Sequence, residues 1–541
     1  MTERLPVSEP PQDRRLSEPA GRDRQPAWEW GPTGLWVLLA LVLLLRIMTL
    51  GLYPLTDTTE ARYAEMARKM LESGNWLTPM FDVGVPFWGK PPLSFWLSAL
   101  PMALGGVGEF TARLGPLIAA LGTLMLFWHW PRVDAHQDRQ PSATKNRADN
   151  AIAVSAAIVF LSTPLGFIAS AAVMTDMAMV AGTSLSMVAF WRAWTSTHGA
   201  KSVWPWLFFA GQAIGLLAKG PVAVVLTGVA LSLFLLIGVW RQGLASTLQH
   251  LWRALPWLRG LALTALLVLP WYLLAEQAWP GFLRYFIVGE HWYRFTQSGW
   301  KGDLYGVAHA QPKGRIWLFA LIATLPWALA ALWWALKRWR QNVARAAAFP
   351  SPGERDYLLC WAVAPCVFFT LSGNILPAYA LPGLPAFALL VATLWNAAAV
   401  APHASAASAR LQVIGTGLAA LLMPLAFTAL VLLAPERFDA FSDKALLRGV
   451  PPAQVVYLVQ RPASGVFYSR GQARLVAPSA GAPPPVLPDA VVQALTDPGV
   501  QRLILPHRQL ANWQAALQAN GWTELARNSQ MAAFGRQRPS P

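Results

Sequence analysis

The stretch Trp204–Trp240, WPWLFFAGQAIGLLAKGPVAVVLTGVALSLFLLIGVW, decides how this chain is threaded. It is nearly twice the length of about 20 residues that one helix needs to cross a bilayer. Lys219-Gly220-Pro221 interrupts it at the middle, placing a charge, a flexible residue and a helix breaker in succession. The run therefore reads as two spans, centred near Ala210 and Ala230, joined by a tight turn. Splitting it also sets the side of the membrane on which every later loop falls.

The rest of the composition agrees with a membrane solvent. The chain has 541 residues, 55% of them hydrophobic, and only 13% charged. A soluble domain carries about 25% charge. Apolar windows begin near Leu35 and recur around Thr123, Ala157, Leu185, Ala265, Ile322, Val363, Leu389 and Leu421. The fold class expected is an all-α polytopic membrane protein with about 11–13 spans. The first span follows a hydrophilic segment and has no small-residue cleavage site after it, so it reads as an anchor. Cys360 and Cys366 share one apolar span on different helix faces, which indicates neither a disulfide nor a zinc motif.

A net charge of +16 raises the question of nucleic acid. Much of that charge sits in short loops, where positive-inside topology and attraction to anionic lipid account for it. No nucleic-acid partner is expected. Arg132, Arg139, Lys145 and Arg147, then Lys201, Arg241 and Arg253, then Lys337, Arg338, Arg340, Arg345 and Arg355 mark the cytoplasmic loops. The opposite side then holds residues 53–108, the turns at Asp176 and Lys219, residues 277–313 and the turn at 372–377. Residues 1–33 read as a disordered cytoplasmic tail, and 34–433 as the transmembrane domain. Residues 434–541 change in composition and read as a small α/β domain on the outer face. Its expected strands are Val455–Val459, Val466–Ser469 and Leu503–Leu505, with a Pro-rich loop around 479–488. A helix carrying Leu510, Trp513 and Leu517 follows, stopped by Gly521.

Directly after the first span comes TDTTEARYAEMARKMLESGNW, Thr56–Trp76. Tyr63, Met66, Ala67, Met70 and Leu71 fall on one helical face, and Arg62, Glu65, Arg68, Lys69 and Glu72 on the other. That pattern predicts an amphipathic helix lying in the interface plane. Asp57 and Glu60 have the spacing of a capping box, so their bland reading is a helix start. Further on, DVGVPFWGKPPLSFW sets Lys90 before two prolines among Phe87, Trp88, Phe95 and Trp96. Its bland reading is an interfacial anchor.

These motifs, in order, resemble a known family. D-x-T-E-x-R-Y-A-E followed by K-P-P-L-x-x-W-L is similar to the lipid A aminoarabinose transferases, polyprenyl-phosphate-dependent glycosyltransferases of GT-C fold. VMTDMAM around Asp176, LLAKGPV around Lys219, GEHWYRF around His291 and LSGNILPAYALPGLP around Tyr379 extend the likeness over residues 35 to 400. The resemblance implies a GT-C helix bundle with juxtamembrane helices on the outer face. It implies a bacterial inner-membrane enzyme that takes a sugar from undecaprenyl phosphate and passes it, with inversion, to lipid A or another envelope glycan in the periplasm. Membrane lipid is its surroundings.

Inverting transfer needs a base for the acceptor hydroxyl and a cation for the departing phosphate. Asp57 is the candidate base, with Glu60 as its rival because the family's commoner spacing has an acid where Thr59 stands. Asp176 is a further catalytic candidate, an ionisable residue ending an apolar stretch; its rival reading is a cap with Thr175. Arg62, Tyr63, Lys90, His291 and Tyr379 are candidates for holding donor phosphate and sugar. No cofactor is indicated with certainty, and metal ligands stay undefined, with a divalent ion left open. Two departures matter: Gly89 stands where the family has an acid, and Ile375 where it has a lysine. The sugar and any metal are therefore not assigned. A protein mannosyltransferase, a lipid-linked sugar flippase, and an assembly module with a degenerate site are the competing readings.

Overall fold

A computed structural model of the chain describes residues 31–130, 143–196, 202–306, 309–340, 352–399, 406–476 and 489–536. Nearly all of the expected tail, the Pro-rich loop around 479–488, and Arg132, Arg139, Lys201 and Arg345 lie outside the described residues. Helices occupy every apolar window read from the sequence. Among the described residues, six are long and apolar enough to cross a membrane unaided, and a bent pair makes a seventh. The decisive stretch divides as expected, into Trp204–Lys219 and Val222–Gln242, with Gly220 at φ +88°.

The window near Ile322 is not one straight span. Arg315–Ala323 and Trp327–Leu336 meet at 90° around Leu325-Pro326. Proline removes a backbone donor and clashes with the preceding turn, so the break falls where its chemistry puts it.

Small residues bring the central helices close. A Cβ on Gly182 of Asp176–Thr195 would lie 2.6 Å from the Gly215 nitrogen of Trp204–Lys219, and one on Gly211 would lie 2.6 Å from the Gly182 oxygen. Such backbone approach is what small side chains provide where lipid supplies no hydrophobic drive. The two ends of the bundle differ. At one end Arg241 pairs with Asp356 at 2.5 Å and Trp130 donates to Glu354 at 2.8 Å. The other end gathers the segment after the first span, the turns at Asp176 and Lys219, and the sheet region.

Two parts of the chain build that second end. The first span, α1 (Pro32–Thr49), is followed by α2 (Thr59–Ser73) and, after the hairpin β1 (Met80–Asp82) and β2 (Val85–Pro86), by α3 (Leu93–Gly105). The C-terminal region carries a five-stranded sheet: β3 (Val455–Leu458), β4 (Arg474–Val476), β5 (Arg502–Pro506), β6 (Trp522–Arg527) and β7 (Met531–Arg536). Its order is β4-β3-β5-β7-β6, parallel across β4-β3-β5 and antiparallel beyond. The expected helix is Leu510–Ala519, with Gly521 at φ +71° beyond it. The run Val466–Ser469, expected as a strand, belongs instead to a helix, Ala463–Tyr468. An apolar run that short carries no period to tell the two apart, and Pro462 just before it suits a helix start.

α2 also departs from expectation. Its polar face does not lie open at an interface: Glu65 and Arg68 are 3% and 2% exposed. They pair at 2.6 and 2.7 Å, and the helix Ala463–Tyr468 packs over α2, with Phe467 and Tyr468 against Ala61, Ala64 and Ala67. A second partner covered what the amphipathic pattern left to water.

Candidate active site

α2 begins at Thr59 with Thr58 as cap, and no side chain closes its first turn. The capping-box reading of Asp57 and Glu60 therefore fails, because each carboxylate has another partner. Glu60 is buried, and Arg113 grips it from Glu109–Trp128 through Nε at 2.8 Å and Nη2 at 2.9 Å. The same guanidinium takes the carbonyls of Leu50, Tyr53 and Pro54, and lies 3.6 Å from the Tyr53 ring. Glu60 and Arg113 thus fix where the chain turns from span to surface.

Asp57 instead borders a cavity of about 1400 Å³ at the second end of the bundle. Its Oδ1 accepts from the Ser464 amide at 3.0 Å and its Oδ2 from the Ser464 hydroxyl. Burial pushes the carboxyl above its usual range, outweighing those bonds and the charge of Arg62.

Arg62, Tyr63, Lys90, Asp176, His291 and Tyr379 line this cavity too, so of the candidates read from the sequence only Glu60 stands apart. Arg62 donates to the carbonyls of Tyr305, at 2.5 Å, and Thr58, at 3.3 Å. Tyr63 packs its ring edge-on to Phe95 at 5.4 Å. Asp176 starts its helix but caps nothing. It accepts a hydrogen bond from Lys219 at 2.5 Å, beside the Lys219-Gly220-Pro221 turn, and Lys219 in turn lies 5.0 Å from the Tyr379 ring. His291 donates its Nδ1–H to the Phe286 carbonyl at 2.7 Å; burial lowers its pKa to about 4, which keeps it neutral near pH 7. His309 lines the cavity as well.

Lys90 is tied to a network that the sequence left unread. Its ammonium reaches the Gly89 carbonyl at 2.5 Å and Glu290 at 3.0 Å. Glu290 also accepts from Arg294 at 3.1 Å and from Tyr285 at 3.1 Å, and Arg294 pairs with Asp303 at 3.2 Å. Burial opposes the charge on Glu290, but Lys90 and Arg294 together hold its pKa down at about 2, and Lys90 is raised in return. Gly89 itself has little room for a side chain, since a Cβ there would meet the Phe87 ring at 2.7 Å. The acid missing beside Lys90 in sequence is supplied by Glu290 from the π-helix Arg284–Tyr293. Ile375 is buried, and its neighbour Asn374 bonds the Arg294 carbonyl at 2.6 Å.

Glu290 and Ser464 were missed because Lys90 and Asp57 lie 200 and 407 residues from them, and Arg294 and Asp303 join the site only through Glu290; the motif GEHWYRF offered the one signal. Among the described residues no three His, Cys, Asp or Glu side chains converge as a metal site. The acids that line the cavity already have partners: Asp57 has Ser464, Asp176 has Lys219, Glu290 has Lys90 and Arg294, Asp303 has Arg294, Glu65 has Arg68, and Asp82 lies 3.8 Å from Lys69.

The fold and the ordered motifs define a GT-C-type membrane helix bundle with a small C-terminal sheet, and the family resemblance read from the residues is borne out. Residues 35–286 match the family model described as dolichyl-phosphate-mannose-protein mannosyltransferase. The chain is 29% identical, over 64% of its length, to the undecaprenyl phosphate-alpha-4-amino-4-deoxy-L-arabinose arabinosyl transferase of Erwinia tasmaniensis. It is 31% identical, over 66% of its length, to the enzyme of that name from Pseudomonas savastanoi pv. phaseolicola. These matches span 56% and 60% of the two relatives. In fold, the chain is similar to the crystal structure of ArnT from Cupriavidus metallidurans bound to undecaprenyl phosphate, with a TM-score of 0.69 at 21% identity. That likeness covers 92% of this chain and 97% of the other.

Proposed function

We propose that this protein is a polyprenyl-phosphate-dependent membrane glycosyltransferase. It moves a sugar, with inversion, to lipid A or another envelope acceptor at the periplasmic face. The observation that carries this reading is one cavity bordered by both an elevated carboxylate, Asp57, and a cation cluster of Lys90, Arg294 and Arg62. The donor class follows from the similarity to undecaprenyl phosphate-dependent transferases.

In this reading the donor phosphate lies against Lys90 and Arg294, which already share Glu290 and so are held in place before substrate arrives. The acceptor hydroxyl gives its proton to the Asp57 carboxylate as its oxygen bonds the anomeric carbon. The bond from that carbon to phosphate oxygen breaks, and its electron pair leaves on the phosphate, where the cations stabilise it. Burial makes Asp57 a stronger base than a solvated aspartate, and the cavity limits competing water. Asp176, neutralised by Lys219, shapes the wall beside Tyr379 and serves the sugar. The C-terminal region lies in the periplasm, and the end with Arg241 and Arg355 in the cytoplasm, following positive-inside bias.

The matching family model names a protein mannosyltransferase, which makes a polypeptide acceptor the second reading. Mass spectrometry of lipid A, envelope glycans and periplasmic proteins from a strain lacking this gene separates the two. Loss of a sugar from lipid A or a glycan supports the proposal, loss from a protein supports the second reading, and no loss from any of them contradicts both.

A further inference from the structure

Ser464 lies in the C-terminal sheet region, 407 residues from Asp57, yet it holds both oxygens of that carboxylate. The arrangement is built into its surroundings. Ser464 is fully buried, and its hydroxyl accepts from the Asp443 amide at 3.0 Å while donating to Asp57. The Asp443 carboxylate is itself held by Tyr457 at 3.0 Å and Asn528 at 2.7 Å. Gly465 lets this segment lie flush on β3, since a Cβ there would come within 2.4 Å of the Tyr457 hydroxyl. The Asp57 amide completes the junction by donating to the Phe441 carbonyl at 2.8 Å.

We propose that Ser464 is a positioning residue for transfer: it fixes the Asp57 carboxylate from behind, so that the C-terminal region completes the active site. This rests on the reading of Asp57 as base. Ser464 does not border the cavity, whereas Pro462 and Ala463 beside it do, so it acts through Asp57 and not on substrate. Its amide and hydroxyl use one lone pair on each carboxylate oxygen and stop the side chain from rotating. The carboxylate keeps a lone pair available for the acceptor proton. A carboxylate held at two points loses less freedom when the acceptor arrives.

The test uses the full-length protein in lipid nanodiscs, with undecaprenyl-phosphate-linked 4-amino-4-deoxy-L-arabinose as donor and lipid A as acceptor. Ser464→Ala is expected to lower kcat about 10- to 100-fold, the scale of one lost hydrogen bond to a charged group, with donor KM within about twofold. The acid limb of its pH profile should move to higher pH, because a donor that favoured the ionised form is gone. Ser464→Thr, which keeps the hydroxyl, should recover most of the rate. If Ser464→Ala fails to accumulate, Ser464→Cys carries the same test, its weaker thiol donor moving the acid limb upward. Wild-type kcat and an unmoved acid limb in the Ala variant, or in the Cys variant where that one is tested, with Asp57→Asn inactive, would overturn the positioning role alone. An active Asp57→Asn would overturn the base reading itself.

Discussion

At the residue scale, Asp57 and Glu60 stand three apart in sequence and do opposite things. Glu60 is spent on Arg113 inside the bundle, whereas Asp57 meets the cavity. Glu60→Gln should therefore damage folding before chemistry. Leaving Arg113 buried without its carboxylate costs on the order of 3–5 kcal/mol. The expected result is a sharp fall in the amount of folded protein, read by thermal melting in detergent; normal stability with lost turnover would instead promote Glu60 to the base. Lys90→Ala should raise the donor KM about tenfold or more while the protein melts near the wild-type temperature, as loss of a charged phosphate contact predicts. The sequence pointed to both positions through TDTTE and GKPP. It could not show which carboxylate faces the cavity, because that depends on Arg113 and Ser464, distant residues with no local signature.

At the element scale, the helices were legible wherever an apolar run exceeded the thickness of a bilayer, and the turn at Lys219-Gly220-Pro221 falls where its composition placed it. What stayed hidden were features set by partners. Glu65 and Arg68 on the polar face of α2 are buried where a helix from the C-terminal region packs against it, and β4, β6 and β7 are strands through sheet pairing more than through their own pattern. The contact between Asp176–Thr195 and Trp204–Lys219 gives a direct test of packing. Gly182→Val places branched carbon where even one Cβ would lie 2.6 Å from backbone, and should destabilise by about 1–3 kcal/mol. Because Asp176 and Lys219 end those two helices, transfer should fall as well. A melting temperature equal to wild type would contradict the described approach.

For the whole molecule, the membrane bundle and the sheet region meet at one acidic junction, and its stability should depend on pH. Burial first, and then the charge of Asp57, push Asp443 from 3.8 up to about 7. The folded state therefore binds this proton more tightly than the unfolded chain. Stability from that group is complete below the unfolded value and is lost as pH rises toward 7. The melting transition of the C-terminal region should fall between pH 4 and pH 7, and Asp443→Asn should flatten that slope; a slope unchanged by the substitution would contradict it. The general architecture of bundle and small sheet was readable from composition alone. The joint between them was not, since it rests on contacts such as Asp57 to Ser464, and Glu109 to Lys444 and Tyr468. The central claim is that a carboxylate at this joint removes the acceptor's proton. Its most direct test is the turnover of Asp57→Asn at matched protein amounts, with lipid-linked aminoarabinose as donor and lipid A as acceptor. A loss of about a thousandfold or more, with donor binding retained, is the predicted result; wild-type turnover would contradict the account.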